Sequence, residues 1–198
     1  PFIYLRLGLC YEKINDKKQA LKYYNLTIKE DPLLEKGWLA LTSLYVKEKN
    51  YQKALFFINK ALNINNENAA YWSRFAEVNI KLNLFEEAAN AFQKCIDLED
   101  YRLDIFIALI DVLHFLGEYK DALQVLKKAK KLYTDFAEIE YRLSGMSFLV
   151  QNEKNGLRYL KNALKLDYDY HLIMKELYPS VFDKASVNDL LEKNNDHS

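Results

Sequence analysis

Asn50-Tyr51-Gln52-Lys53-Ala54 returns as Leu84-Phe85-Glu86-Glu87-Ala88 and again as Glu118-Tyr119-Lys120-Asp121-Ala122: an aromatic residue, two polar residues and an alanine, with a constant step between Ala54, Ala88 and Ala122. Ala20 lies one such step further upstream, so the period runs through nearly the whole chain. A fixed period of about 34 residues marks stacked units, each too small to bury its apolar face alone, and argues against a globular catalytic domain.

Each period holds two helical patterns separated by a short polar turn. In the first, Tyr4, Leu7, Leu9-Cys10-Tyr11 and Ile14 follow three-and-four spacing; after Asn15-Asp16 the second carries Ala20, Leu21, Tyr24 and Ile28. Glu30-Asp31-Pro32 ends the pair, because proline lacks an amide hydrogen and restricts the residue before it. The same reading places helix pairs at about 35–48 and 52–63, 69–82 and 86–97, 103–116 and 120–131, and 137–150 and 154–165. The expected fold is therefore all-α, about five helical hairpins with units near 1–34, 35–68, 69–102, 103–136 and 137–170.

Small residues recur where helices must approach, at Ala54 and Ala61, Ala88 and Cys95, and Ala122 and Ala129, and bulky ones alternate with them at Trp38, Trp72, Phe75, Phe92 and Phe106. The fifth unit reads as irregular, with Phe148 to Gly156 one residue shorter than Leu113 to Ala122. Residues 171–198 are expected to form a capping helix over His171–Tyr178 that ends at Pro179. A short last helix opened by a Ser186–Asp189 capping box follows, and then a frayed tail from Asn194.

These residues resemble the tetratricopeptide repeat family. The first unit reads Tyr4-x-x-Leu7-Gly8-x-x-Tyr11, Ala20-x-x-x-Tyr24 and Pro32; the second keeps Trp38, Leu41, Tyr45, Ala54 and Ala61, the third Trp72, Phe75, Ala76, Ala88 and Phe92, the fourth Phe106, Leu109, Ala122, Leu126 and Ala129. The resemblance implies a right-handed superhelix whose first helices line a concave groove, and a scaffold holding a peptide, a helix or a partner domain. Many members clamp chaperone tails with basic and amide residues. The corresponding places here hold Leu5, Leu9, Ala40, Ala70 and Arg74, of which only Arg74 suits the task, so tail binding is not expected. The Leu177-Tyr178-Pro179-Ser180 run is similar to the ends of repeat proteins from Bacteroidetes-type bacteria.

Groove-facing candidates are spaced off the packing residues of each first helix: Lys36, Leu39, Ser43 and Lys47; Ser73, Arg74, Glu77 and Lys81; Asp104, Ile107, Asp111 and His114. They form a mixed polar surface with aliphatic spots, suited to an extended segment or a partner helix. The alternative is a regulatory or dimerisation module of a larger signalling or catalytic protein, with the terminal repeats as a homodimer surface.

Composition narrows the partners. Basic and acidic residues number 28 each, and nothing in the total favours nucleic acid. The longest apolar run is six residues, Ile105–Ile110, well short of a membrane span. Catalysis, cofactors and metals are not expected: His114, His171 and His197 are scattered without metal-ligand spacing or a nearby nucleophile, and no glycine-rich phosphate loop occurs. Asn25-Leu26-Thr27 matches a glycan acceptor but falls inside a helix. Cys10 and Cys95 lie among apolar or small neighbours and read as buried thiols. That slightly favours the cytoplasm over the periplasm. Because Pro1 already stands inside the periodic pattern, the chain reads as a piece of a longer protein.

Overall fold

The computed structural model describes residues 1–195, and His197 and the end of the expected frayed tail lie outside them. Among the described residues the regular structure is helical throughout. It divides into two compact units, 1–101 and 102–198.

The first unit contains three hairpins: α1 (Phe2–Lys13) with α2 (Lys17–Glu30), α3 (Glu35–Lys47) with α4 (Tyr51–Ile64), and α5 (Ala69–Lys81) with α6 (Phe85–Asp97). The second contains α7 (Leu103–Phe115) with α8 (Tyr119–Leu132), α9 (Ala137–Leu149) with α10 (Glu153–Leu166), a 3₁₀ turn at Asp169–His171, and the short helices α11 (Leu172–Leu177), α12 (Pro179–Phe182) and α13 (Ala185–Asn195).

One backbone device closes every hairpin. Asn15, Lys49, Asn83, Gly117 and Gln151 all adopt left-handed backbone, with φ between 57° and 76°, and they keep the same step along the chain as the alanines. The next residue's amide reaches back to the carbonyl of Tyr11, Tyr45, Asn79, Leu113 or Ser147 at 2.8–2.9 Å, which satisfies a carbonyl the helix end leaves open. Asp16, Asn50 and Asn152 then cap the second helix, accepting from the amides of Gln19, Lys53 and Asn155. The fifth unit is thus in phase. Ser147 stands where Leu113 does in the fourth, Gly156 follows Ala122 by one full period, and no residue has been lost. Taking the neighbouring Phe148 as the counterpart of Leu113 produced the apparent shortening.

Ala20, Ala54, Ala88 and Ala122 are fully buried, as are Thr27, Ala61, Cys95, Ala129 and Ala163 two turns further along the same helical face. The tryptophans combine packing with a tie. Trp38 and Trp72 are half-buried, and their indole nitrogens donate to the Pro32 and Asn66 carbonyls at 2.8 and 2.7 Å, fastening the turns between hairpins.

Three expectations are corrected. Cys10 is exposed, because it sits on the side of α1 turned away from the buried Leu5 and Gly8. The capping helix does end just before Pro179, at Leu177, and Pro179 in addition opens α12, in whose first turn no amide donor is needed. Ser186 lies inside α13, which starts at Ala185, and its hydroxyl donates to Glu153 Oε1 at 2.7 Å instead of capping. The helix continues through Asn195, so Asn194 does not fray.

Candidate functional site

In the first unit, the first helices of the hairpins carry a hollow of about 490 Å³. Leu5, Leu9 and Glu12 come from successive turns of α1; Lys36, Leu39, Ala40, Ser43, Val46 and Lys47 come from α3; Arg74 comes from α5. The spacing 5, 9, 12 and 36, 39/40, 43, 46/47 puts each set on one stripe of its helix. Leu5, Leu9, Leu39, Ala40 and Val46 make the apolar lining, and the charged groups sit among them.

The charges are already engaged, but loosely. Glu12 accepts from the Tyr24 hydroxyl and from Lys47, whose side chain is 65% exposed. Burial raises the Tyr24 phenol above its ordinary range and the adjacent Glu12 carboxylate raises it further, so the hydroxyl remains a donor. Arg74 meets Glu77 at 2.7 Å with both side chains substantially exposed. Lys36 is exposed and makes no ion pair among the described residues. The Arg74–Glu77 pair is of the exposed kind that contributes about 0–1 kcal/mol, so an incoming carboxylate can exchange for Glu77 at small cost, whereas Glu12 is only 13% exposed and stays bonded to Tyr24. A smaller hollow of about 170 Å³, lined by Val46, Tyr51, Glu77, Val78 and Lys81, shares Val46 with the first.

The structure brings Lys36, Leu39, Ser43, Lys47 and Arg74 to one hollow and Glu77 and Lys81 to the next, while Ser73 is half-buried on α5 and lines neither. The α7 candidates belong to the other unit and are largely occupied. Asp104 contacts Arg102 at 3.4 Å, and Ile107 is half-buried. Asp111 pairs with the buried Arg142 of α9, which also donates to Glu138 Oε1 at 2.9 Å. His114 lies between two rings, Tyr119 at 5.8 Å and Tyr178 at 5.1 Å between centroids. Asp111, still 47% exposed, and the half-buried His114 are thus engaged by α9 and the C-terminal segment.

Glu12 and the α1 leucines were not selected from sequence as groove residues. The available signal was register: Leu9 stands one period before Ser43, as Glu12 does before Val46. Other chemistry-bearing residues have structural roles. His171 Nδ1 lies 2.7 Å from the Tyr168 carbonyl and the ring packs on Tyr168, and Thr27 is buried with its hydroxyl donating to the Tyr23 carbonyl. Among the described residues no group of three or more His, Cys, Asp or Glu is placed to hold a metal ion, and no helix is long and apolar enough to cross a membrane.

Fold and surface together define an all-α protein of helical-hairpin repeats. Comparison with known sequences narrows the class: a tetratricopeptide repeat model matches residues 3–33, and the model for the anaphase-promoting complex, cyclosome, subunit 3, matches residues 47–129. These matches support membership of the tetratricopeptide repeat family. Among curated proteins, the chain is 23% identical over 192 residues to anaphase-promoting complex subunit 3 of Schizosaccharomyces pombe, covering 94% of this chain and 26% of that protein. It is 25% identical over 123 residues to an N-terminal acetyltransferase A complex subunit-like protein of the same yeast, covering 62% and 17%. The chain therefore spans about a quarter or less of these relatives' length. Among solved structures it is similar to YrrB, described as a TPR protein with an unusual peptide-binding site (TM-score 0.71, 19% identity, 87% of this chain and 90% of that one). It is also similar to MamA (TM-score 0.71, 20% identity, 89% and 94%). At these identities the likeness establishes the fold, and the relatives point to no particular phylum.

Proposed function

We propose that this chain is a non-catalytic protein-binding scaffold, and that the first unit's hollow takes a peptide or helix presenting an aliphatic side chain next to a carboxylate. The observation that carries this is the lining: leucine and valine side chains ringed by Lys36, Lys47 and Arg74, with only Glu12 as a lining acid. An apolar anchor supplies most of the affinity and an exposed acid sets register and direction. Both curated relatives are, by name, subunits or subunit-like proteins of complexes, which supports the reading.

The test is selection from a randomised peptide array. The protein is expected to enrich Leu or Ile flanked by Asp or Glu, with Leu39→Asp weakening the selected peptides at least tenfold and Lys36→Glu shifting preference away from acids. Identical enrichment by the wild type and Leu39→Asp would refute the site.

A second reading, self-association through the first repeat, is favoured by Phe2, Ile3, Ile14 and Leu33, all more than 60% exposed. Light scattering across a concentration range decides it, and a mass that stays monomeric removes it. Cytoplasmic residence is inferred from two thiols, Cys10 exposed and Cys95 buried. A bacterial origin rests on Leu177-Tyr178-Pro179-Ser180 alone.

A further inference from the structure

The second unit carries a filled socket. Gly145 on α9 stands in the register of Leu9, Ser43, Glu77 and Asp111, each one period from the next. In the first unit, Leu9, Ser43 and Glu77 line the open hollows. At Gly145 the place of a side chain is taken by the Tyr178 ring, which arrives from the C-terminal segment. A Cβ at Gly145 would stand 2.3 Å from Tyr178 Cδ2 and 2.5 Å from Cγ and Cε2, so only glycine admits the ring. His114 of α7 packs against the ring with its centroid 5.1 Å away, and the buried Arg142, held by Asp111 and Glu138, lies beside its hydroxyl. Tyr178 is only 1% exposed.

We propose that this is a second binding site, a socket for an aromatic side chain followed by proline, and that the chain's own Leu172–Phe182 segment is its resident ligand. Three features separate the segment from an ordinary terminal helix. It is built of helices of six and four residues, too short to hold themselves together without docking. Its anchor ring crosses α9 to reach α7. And the anchor is imperfect, because the buried Tyr178 Oη faces the Arg142 guanidinium, already engaged by Asp111 and Glu138, without a well-formed hydrogen bond. A buried, poorly satisfied hydroxyl opposes docking, so a ligand ring without it, or a ligand placing an acceptor near Arg142, binds the emptied socket more tightly than the segment's own ring. The tethered segment is present at an effective concentration on the order of millimolar. A free peptide of micromolar intrinsic affinity is therefore weakened about a thousandfold while the segment is docked. The socket is closed to partners until the segment leaves.

The experiment uses the full chain and a labelled synthetic peptide with the sequence of residues 172–183. Tyr178→Ala, confirmed folded by circular dichroism, is expected to bind the peptide at least a hundredfold more tightly than the wild type. The same peptide with alanine for its tyrosine should not bind, and Gly145→Ala added to Tyr178→Ala should abolish binding. No peptide binding by folded Tyr178→Ala, or equal binding with Gly145→Ala added, overturns the proposal. If Tyr178→Ala does not fold, Tyr178→Phe decides. Removing the poorly bonded hydroxyl while keeping the ring should slow amide exchange across residues 172–182 about fivefold or more, and unchanged or faster exchange overturns the proposal. These measurements concern only the second unit, so their failure leaves the first unit's peptide site standing.

Discussion

Gly8→Ala tests the packing of the first hairpin with the smallest possible change. Position 8 of the repeat faces position 24, and the chain varies the two together: Gly8 with Tyr24, Thr42 with Ile58, Ala76 with Phe92, Ile110 with Leu126, Ser144 with Leu160, every member buried. The largest residue at the second place meets the smallest at the first. A Cβ on Gly8 would stand 2.4 Å from Tyr24 Cδ1 and Cε1, about 1 Å inside ordinary carbon contact. The ring has little freedom to retreat, because Tyr24 is fully buried and its hydroxyl is bonded to Glu12. Overpacking of this kind costs about 1–3 kcal/mol, and replacing a mid-helix glycine by alanine returns about 1 kcal/mol of helix propensity. Taking the upper part of the first range, the net loss is about 1–2 kcal/mol. Trp38 and Trp72 both lie in the first unit, so tryptophan fluorescence during urea unfolding reports on the unit that carries the change. Gly8→Ala should move the midpoint down. In Gly8→Ala/Tyr24→Leu the added methyl should cost less than in the parent, giving a coupling of at least about 1 kcal/mol. A variant as stable as the parent, or single and double changes that add within about 0.5 kcal/mol, would show that the close approach does not constrain position 8.

Other expectations follow from the second unit. Burial holds the His114 imidazole below its ordinary range; Asp111 pulls it back up and Arg142 pushes it down, with Tyr119 and Tyr178 as its ring neighbours. The unfolded chain then binds the proton more readily than the folded one, so His114 stabilises above pH of about 6.5 and that contribution is lost as pH falls below it. His114→Asn should lose less stability than the parent between neutral pH and pH of about 5.5, and equal losses contradict the assignment. Arg142→Ala leaves Glu138 and Asp111 without their shared partner. Because Asp111 is 47% exposed and rehydrates, the cost should be about 2–3 kcal/mol, below the roughly 3–5 of a fully enclosed pair; a denaturation midpoint within error of the parent would show the cluster to be idle. Tyr141→Phe removes the bond from a fully buried ring to the Asp167 carbonyl at 2.7 Å and should cost about 1 kcal/mol in the same assay. A more stable variant would refute it.

Much of the architecture was legible in the chain because its causes are local and repeated. The evenly spaced alanines, the aromatic residues between them and the Asn or Gly closing a hairpin each act within one unit, so their spacing carries over directly into structure. Errors arose where a residue had two possible partners. Phe148 matches Leu113 in type although Ser147 holds the corresponding place, and the apolar neighbours of Cys10 suggest a packed face although the thiol is exposed. Lys49 and Gln151 adopt the left-handed turn without being glycine or asparagine, so periodicity identifies those turns where residue type does not.

The candidate surface divides along the same line. Lys36, Leu39, Ser43 and Lys47 were found from helical spacing, because side chains on one stripe of one helix necessarily share a face. Which faces stay open is a different matter. Asp111 and His114 have the same register as residues that line a hollow in the first unit, yet Arg142 and Tyr178 engage them. Periodicity specifies each helix and the side it presents, through contacts a few residues apart and with the next repeat. The path of the chain after the last repeat brings Tyr178 against Gly145 and His114, and a contact made once, between residues far apart in the chain, leaves no period to read.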